Sequence, residues 1–334
     1  MKKAILILLL SVCMSSYAQQ RLLTKKIVYK EAFTENSVAS LTDKDSVAYN
    51  YIVNKRFFWE AMDGLIDKLK SKKLYLTSFE GDSLVWDTVF NDLTKRLNAL
   101  DLKKYSKKEV EKVLENEIRS IKLMEEWTYN PQTMLIDKKI TAYCPVIQRD
   151  SAVLEDEDMK AKEYFSYDLG WIRQNPNSTP QDSLLICRNI QYTLPIYNTQ
   201  PYRWWDSNLE AEYSIVFFDM LTSKAEEGSI LCYDNPDAVE PFSKSEFEKR
   251  KKHSVTTTVY TDLSYDNTIE KDTVITVSYN SEDIDHLRFG EEIYYDKKNA
   301  AFFKHVNYYA PVIKINSAQG AFLGYYPLFY IRKK

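Results

Sequence analysis

Two short stretches of the chain contain residue types that could carry out hydrolysis. Gly81-Asp82-Ser83-Leu84 places a serine after a turn-forming Gly-Asp pair, and Asp283-x-x-His286 places a carboxylate three residues before a histidine. A serine activated by a histidine that a carboxylate orients is the arrangement used for acyl transfer. The two stretches therefore raise the hypothesis of a serine esterase, with Ser83 as nucleophile and His286 as base.

The first stretch resembles the opening block of GDSL esterases and lipases, but its surroundings fit that chemistry poorly. In that family the serine follows the buried first strand of a doubly wound sheet, whereas a charged amphipathic helix precedes Ser83 here. The only later stretch similar to an oxyanion block, residues 90–93, lacks the glycine and lies too close to Ser83. A turn residue after Gly81-Asp82 is the simpler interpretation. An esterase is therefore the third and weakest hypothesis.

The first 18 residues have the composition of a secretory signal peptide. Lys2 and Lys3 precede a short apolar run, and small residues end at Ala18. The run is too short to span a bilayer, and no later stretch is long and apolar enough for a transmembrane helix. We expect an exported, periplasmic chain, which is compatible with a peripheral position at the outer membrane.

Composition excludes several classes of function. The 334-residue chain has a formal net charge of −3, and loss of the two signal-peptide lysines lowers it by two, to −5, which argues against nucleic acid as a partner. Glycine is scarce, at 7 residues, so phosphate-binding glycine clusters are lacking, and the three histidines never have metal-ligand spacing. No metal and no cofactor are expected. Cys144, Cys187 and Cys232 leave two alternatives open: three buried thiols, or one disulfide and one thiol.

An internal repeat organises the rest of the sequence. Residues 125–152 and 291–318, compared without a gap at a shift of 166, are identical at 10 of 28 positions, where about two are expected by chance. The identities include Glu125/Glu291, Lys138/Lys304, Tyr143/Tyr309 and Pro145/Pro311. Upstream, Asp67-x-Leu69-x-Ser71-Lys72 matches Asp219-x-Leu221-x-Ser223-Lys224 on two amphipathic helices. The sequence thus predicts an α+β fold made of two divergent copies of a helix-plus-antiparallel-strand module.

The repeat sets the predicted boundaries. A signal peptide (1–18) and an N-terminal segment (19–48) precede a first module (49–173), a linker (174–182) and a second module (183–334). Proline has no N–H for a central strand, so we expect Pro145 and Pro311 at a strand start or edge. The Glu125-Glu126 and Glu291-Glu292 pairs could be acid/base couples, but neighbours on a strand face opposite ways, so one carboxylate of each pair should meet solvent.

A candidate protein interface lies at Tyr202, Arg203, Trp204 and Trp205. These residue types dominate the energetics of interfaces, and adjacent tryptophans on an extended segment face opposite ways, so one can anchor in the core while the other binds a partner. Packing of both tryptophans inside the module is the alternative for this segment. More widely, the aromatic segments could form a groove for a glycan or peptide, which makes an exported binding module the second hypothesis for the whole chain.

The second half resembles the GldN/PorN family of Bacteroidota gliding and type IX secretion components. Five stretches follow that family's order: LPIY (194–197), FFDMLTSKAEEGSILCYDNPD (217–237), SEDIDHLRFGEEIYYDKK (281–298), NYYAPVI (307–313) and GYYPLFYIRK (324–333). The resemblance spans 183–333 and extends faintly to 115–173 through the repeat. Ile293 stands where the family has Trp, which Trp127 keeps in the first copy.

The resemblance implies a non-catalytic structural component of the periplasm. It further implies protein partners, among them an outer-membrane lipoprotein ring component of the GldK/PorK type, and it leaves oligomer formation open. It carries over no catalytic or cofactor-binding residue. The departures from the family pattern leave both a core component and a divergent paralogue open.

Overall fold

A computed structural model describes residues 20–32, 50–150, 164–195, 211–262, 268–316 and 322–333. The predicted signal peptide and the segment 196–210 lie outside these ranges. Among the described residues, the helices are α1 (Lys55–Lys70), α2 (Trp86–Leu100), α3 (Lys107–Asn116), α4 (Ala211–Glu227) and α5 (Lys244–Arg250), with a 3-10 turn at Ser281–Asp283. No helix of this described part is long and apolar enough to cross a membrane.

The strands form two main antiparallel sheets. In chain order they are β1 (Arg21–Ala32), β2 (Asn50–Val53), β3 (Leu76–Thr77), β4 (Ser83–Leu84), β5 (Ile118–Tyr129), β6 (Ile136–Asp150), β7 (Tyr164–Asp168), β8 (Ile172–Arg173), β9 (Ser183–Pro195), β10 (Lys252–Asp262), β11 (Thr268–Ser278), β12 (Ile284–Asp296), β13 (Ala301–Asn316), β14 (Phe322–Pro327) and β15 (Ile331–Arg332). The first sheet has the order β1-β5-β6-β7, with β8 beside β6. The second has the order β2-β9-β12-β13-β14, with β15 beside β13, and β3-β4 and β10-β11 are separate hairpins. The predicted α+β class with antiparallel strands is confirmed.

The two central hairpins share their register. Ile118 pairs with Ile147 in the first sheet, and Ile284 pairs with Ile313 in the second, which is the same pair moved by 166 residues. Both ladders contain irregularities at matching places, one after the first pair and one just before Glu125 or Glu291. Residue 143 or 309 then pairs with the short outer strand β8 or β15. This register is what a duplication requires, and the duplication itself stays a proposal.

The expectation that Pro145 and Pro311 start or edge a strand is wrong, because both lie within long strands. Pro145 pairs with Ile121, and Pro311 pairs with Leu287. Between its pairings with β7 and β8, β6 uses the Pro145 carbonyl to accept the Leu169 N–H at 3.0 Å; the Pro311 carbonyl accepts the Leu328 N–H at 2.9 Å. The missing N–H therefore falls where the outer neighbour strand changes, so the ladder tolerates it.

The two long helices pack across the halves of the chain. Leu65, Ile66 and Leu69 of α1 are buried, and so are the residues 152 positions later, Phe217, Phe218 and Leu221 of α4. Yet α1 contacts β9 of the second sheet, and α4 contacts β1 of the first. Strand β2, which directly precedes α1, likewise pairs with β9. The two segments predicted as modules therefore share one hydrophobic core, although they are separate in sequence.

Gly290 illustrates how the two hairpins differ in packing while they keep the same register. A Cβ atom at Gly290 would lie 2.1 Å from the Tyr308 ring, which covers this position from the paired strand. The equivalent pair in the first hairpin is Met124 and Ala142. A large residue on one strand thus accompanies a small residue on the other, and the two hairpins have exchanged the order.

We expect Gly290→Ala to lower the free energy of unfolding by about 1–3 kcal/mol, because the Tyr308 ring must move to admit the methyl group. Urea denaturation followed by circular dichroism measures the change. The double variant Gly290→Met with Tyr308→Ala rebuilds the pair of the first hairpin and should recover at least half of the loss. Unchanged stability in Gly290→Ala would show that this close approach imposes no constraint.

Candidate functional site

The residues of the esterase hypothesis have separate structural roles. Ser83 is exposed in the β3-β4 hairpin, after Gly81, which has a φ of 110°. The Asp283 carboxylate accepts the Asn280 backbone N–H at 2.8 Å and so caps the 3-10 turn. His286 lies on β12, with its Nδ1 2.8 Å from Asp285 Oδ1 and its ring 4.3 Å from the Tyr325 ring. The carboxylate beside the histidine is thus not the one that the motif requires.

Four charged side chains meet between the two sheets instead. We call Glu125 (β5), Lys138 (β6), Glu291 (β12) and Lys304 (β13) the buried charge cluster, because each side chain that an ion pair joins here has no solvent exposure. Lys138 and Lys304 occupy the same position in the two hairpins, and so do Glu125 and Glu291. The shared register of the hairpins therefore places two lysines and two glutamates in one interior site.

Ion pairs in the cluster connect one half of the chain to the other. Lys138 pairs directly with Glu291 of the second sheet. Lys304 lies 3.4 Å from Glu125 Oε1 of the first sheet and 2.9 Å from Glu291 Oε2 of its own. Each lysine thus contacts the glutamate of the opposite hairpin. Because a buried charge without a partner is very costly, this pattern ties the two sheets to one relative position.

Aromatic side chains complete the surroundings of the cluster. The Trp127 indole N–H donates to Glu125 at 2.7 Å, and the Tyr192 hydroxyl donates to Glu291 at 2.9 Å. Lys138 donates to the Tyr192 hydroxyl oxygen at 2.6 Å. Its Nζ also lies 3.1 Å from the Phe289 ring centre and 3.8 Å from the Trp127 ring, where a cation is attracted to the ring face.

The electrostatics of the cluster suit a structural role. Burial lowers the pKa of Lys138 to about 8, while the nearby carboxylates of Glu291 and Glu125 act in the opposite direction. For Glu291, burial raises the pKa, but the two lysines outweigh it and hold the pKa below its ordinary value. Both groups are therefore mainly charged at neutral pH. Fully buried ions that neutralise one another are arranged to hold the sheets together and not to reach a substrate.

The neighbouring glutamates confirm the expected alternation. Glu125 and Glu291 are buried, whereas Glu126 and Glu292 are partly exposed. The Glu292 carboxylate accepts the Tyr294 hydroxyl at 2.7 Å. The two members of each pair thus have different environments and do not form an acid/base couple.

A second set of contacts between the sheets follows the same symmetry. The Tyr143 hydroxyl donates to the Ala300 carbonyl, and the Tyr309 hydroxyl donates to the Met134 carbonyl, both at 2.6 Å. Both acceptors belong to non-glycine residues at positive φ, in the turns of the two hairpins. Three of the identities in the repeat, Glu125/Glu291, Lys138/Lys304 and Tyr143/Tyr309, therefore belong to contacts between the sheets. Sequence analysis recognised them as a repeat but missed this role.

The first residue of the predicted linker also joins the sheets. The Gln174 side-chain amide donates to the Ile140 carbonyl of β6 at 2.9 Å and to the Phe302 carbonyl of β13 at 2.7 Å. Its Oε1 accepts the Phe302 N–H at 2.9 Å. One glutamine thus satisfies backbone groups of both sheets, so this end of the linker is part of the structure.

The cysteines are free buried thiols in this structure. Burial raises the pKa of Cys144 and of Cys232 to about 12, so these thiols stay protonated at neutral pH. Of the two alternatives that the sequence left open, the structure has three thiols. Among the described residues, no group of three His, Cys, Asp or Glu side chains could hold a metal ion.

Two surface clefts are the largest concave features considered for a ligand. A cleft of about 440 Å³ between α1 and α3 is lined by Trp59, Asp63, Ile66, Asp67, Lys70, Glu115 and Asn116. One of about 630 Å³ is lined by Leu231, Tyr233, Val239, Glu240, Pro241, Arg332 and Lys333. In the second, the Arg332 guanidinium lies 4.0 Å from the Tyr233 ring and covers a face that could stack on a sugar. This geometry lends no support to a glycan-binding groove.

The candidate interface Tyr202, Arg203, Trp204 and Trp205 lies outside the described residues. Its prediction therefore stays a prediction. In the comparisons with known proteins, the family model described as "Gliding motility associated protein GldN" matches residues 196–332. No curated protein matches the chain.

We expect Lys138→Met to lower the free energy of unfolding by about 3–5 kcal/mol, because it removes one cation from a balanced set of buried charges. Lys139→Met is the matched control, since Lys139 is the next residue on β6 and reaches only Asn177, at 3.0 Å. Denaturant unfolding of both variants measures the difference. The double variant Lys138→Met with Glu291→Leu restores charge balance and should regain part of the loss. Equal stability of Lys138→Met and its control would contradict the assigned role of the cluster.

The lowered pKa of Lys138 also predicts a pH dependence. Between pH 8 and the ordinary value of 10.5, the folded chain binds fewer protons at Lys138 than the unfolded chain. Stability should therefore rise with pH in this window, by up to about 1.4 kcal/mol per pH unit. Unfolding at pH 8 and pH 9, compared with Lys138→Met, isolates this effect from the thiols and tyrosines that titrate in both proteins. Parallel pH profiles for the two proteins would rule it out.

Proposed function

Residues 196–332 belong to the GldN family, and on that basis we propose that this chain is a non-catalytic periplasmic assembly component of a gliding or type IX secretion apparatus. The family match is the observation that carries the proposal. The geometry is consistent with it, since Asp283, Glu125 and Glu291 all have structural contacts. A scaffold needs a rigid body, and the fully buried ion pairs provide one.

The proposed partners are proteins. In the family that this chain resembles, the expected partner is an outer-membrane lipoprotein ring component of the GldK/PorK type. The predicted signal peptide, residues 1–18, would deliver the chain to the periplasm, where it could meet such a partner at the inner face of the outer membrane. Formation of an oligomer is compatible with this arrangement.

We further propose that the chain consists of two divergent copies of one α+β module. The equal register of the hairpins, the equivalent buried faces of α1 and α4 and the paired contacts of Tyr143 and Tyr309 support this origin. The first copy then acts as a fixed support, because it covers the second sheet with β2 and α1. The second copy, which carries the family match, would hold the partner surface.

The proposed partner surface includes Tyr202, Arg203, Trp204 and Trp205. This segment lies within the family match and directly before α4. Its two tryptophans and arginine are the residue types with the largest share of binding energy in protein interfaces. No acid, base or nucleophile is needed for such a role.

We expect deletion of the gene to abolish gliding spread and type IX secretion, and the full-length chain to restore both. Ser83→Ala and His286→Ala should restore them fully, since the proposed function is not catalytic. A double Trp204→Ala, Trp205→Ala variant should fold normally and weaken co-purification with the outer-membrane lipoprotein, by about 30-fold if about 2 kcal/mol is lost. Normal secretion in the deletion strain would refute the function, and loss of activity in Ser83→Ala would revive the esterase hypothesis.

A further inference from the structure

The outer face of helix α4 carries aliphatic side chains that the equivalent helix lacks. Ile215 and Val216 are 54% and 49% exposed on α4. At the shift of 152 residues that aligns the two helices, their counterparts on α1 are Asp63 and Gly64. The buried faces of the helices agree, so this difference is confined to the outer face. Two large β-branched side chains therefore face solvent where the first half of the chain has a carboxylate and no side chain.

In the first half, a helix of the chain itself borders this outer face. Helix α3 packs against α1, and Val110, Val113 and Leu114 form its buried side. Asp63 lines the cleft between the two helices, opposite Glu115 at the end of α3. Position 63 of α1, and by equivalence position 215 of α4, thus faces the place of a neighbouring helix.

The second half has a short turn where the first half has α3. Helix α3 ends at Asn116, just before β5, whereas the three-residue 3-10 turn Ser281–Asp283 stands just before β12. This turn packs on α4, and the Ser281 hydroxyl donates to Asp219 at 2.5 Å. The stretch that matches α3 at the shift of 166 belongs instead to β11 and this turn. A helix-sized position beside α4 is therefore not filled by a helix of the described chain.

The charges around this position favour a basic partner. Asp219 on α4 and Glu282 and Asp283 in the turn are all exposed. They border the aliphatic pair with negative charge, and like charges on an incoming helix would be repelled. A matching helix would carry aliphatic residues at positions i, i+3 and i+4, as α3 does, with lysine or arginine beside them.

We propose that the face of α4 formed by Ile215 and Val216 binds an amphipathic, basic-flanked helix of a partner protein, in the position that α3 has on α1. This inference rests on the proposed function, because it adds a second contact surface within the copy that carries the family match. An aliphatic stripe laid into a groove between helical elements is a common mode of peptide recognition. The surface also differs from the segment 202–205, so the two can be tested separately.

The direct test uses a fluorescein-labelled, helix-stabilised peptide with the aliphatic spacing of Val110, Val113 and Leu114 and lysines on its flanks. Fluorescence anisotropy with the full-length mature chain should show saturable binding. Ile215→Asp, which installs the residue found at the equivalent position of α1, should weaken binding at least tenfold. Leu102→Asp is the control, because Leu102 is 92% exposed elsewhere, and it should bind like the unaltered chain. A peptide with glutamate flanks should bind at least tenfold more weakly.

Several outcomes would overturn this inference. No binding, or equal affinity for the unaltered chain and Ile215→Asp, would remove the docking surface. A photo-crosslinker at position 215 that joins the chain to itself or to a second copy would show another occupant. The strain with the gene deleted keeps the two proposals apart. If the unaltered chain and Ile215→Asp both restore secretion fully, the docking surface is wrong while the proposed function stands.

Discussion

The structure depends on a set of buried charges that can be satisfied in only one arrangement. Removing Lys138, Lys304, Glu125 and Glu291 from water costs several kcal/mol for each ion, and only close opposite charges and hydrogen bonds offset that cost. Each lysine finds a carboxylate on the other sheet. A slip of one residue in either hairpin would move a charge to the opposite face and leave its partners alone in the interior. The cluster therefore fixes both registers and the packing of one sheet on the other.

The exchange of elements between the halves is compatible with the same constraint. Because the sheets are held face to face at the cluster, α1 lies over β9 and α4 over β1. The tyrosines at 143 and 309 each reach a carbonyl in the turn of the opposite hairpin. A single continuous core results, although the sequence repeats. Such a body can transmit force between partners without a hinge in its middle, which suits an assembly component.

Much of the architecture could be predicted because the repeat is ungapped. The shift of 166 residues gave equivalent positions, and a two-residue period gave buried Glu125 and partly exposed Glu126. The positions of Pro145 and Pro311 were misjudged, since sequence does not reveal that an outer strand changes at these points. The cluster was also missed, because a glutamate and a lysine 13 residues apart usually indicate an exposed hairpin face. Only their recurrence at identical positions hinted at burial.

The sequence by itself determined the fold class, the pairing of each hairpin and the resemblance to a family of secretion components. These follow from local periodicity and from ordered motifs, which need no knowledge of distant contacts. The tertiary structure alone decided that Asp283 caps a turn, that the three cysteines stay thiols and that the lysines of one hairpin neutralise the glutamates of the other. Those outcomes depend on which groups meet after the sheets pack, and the energy of a buried ion depends on what lies within a few ångströms of it.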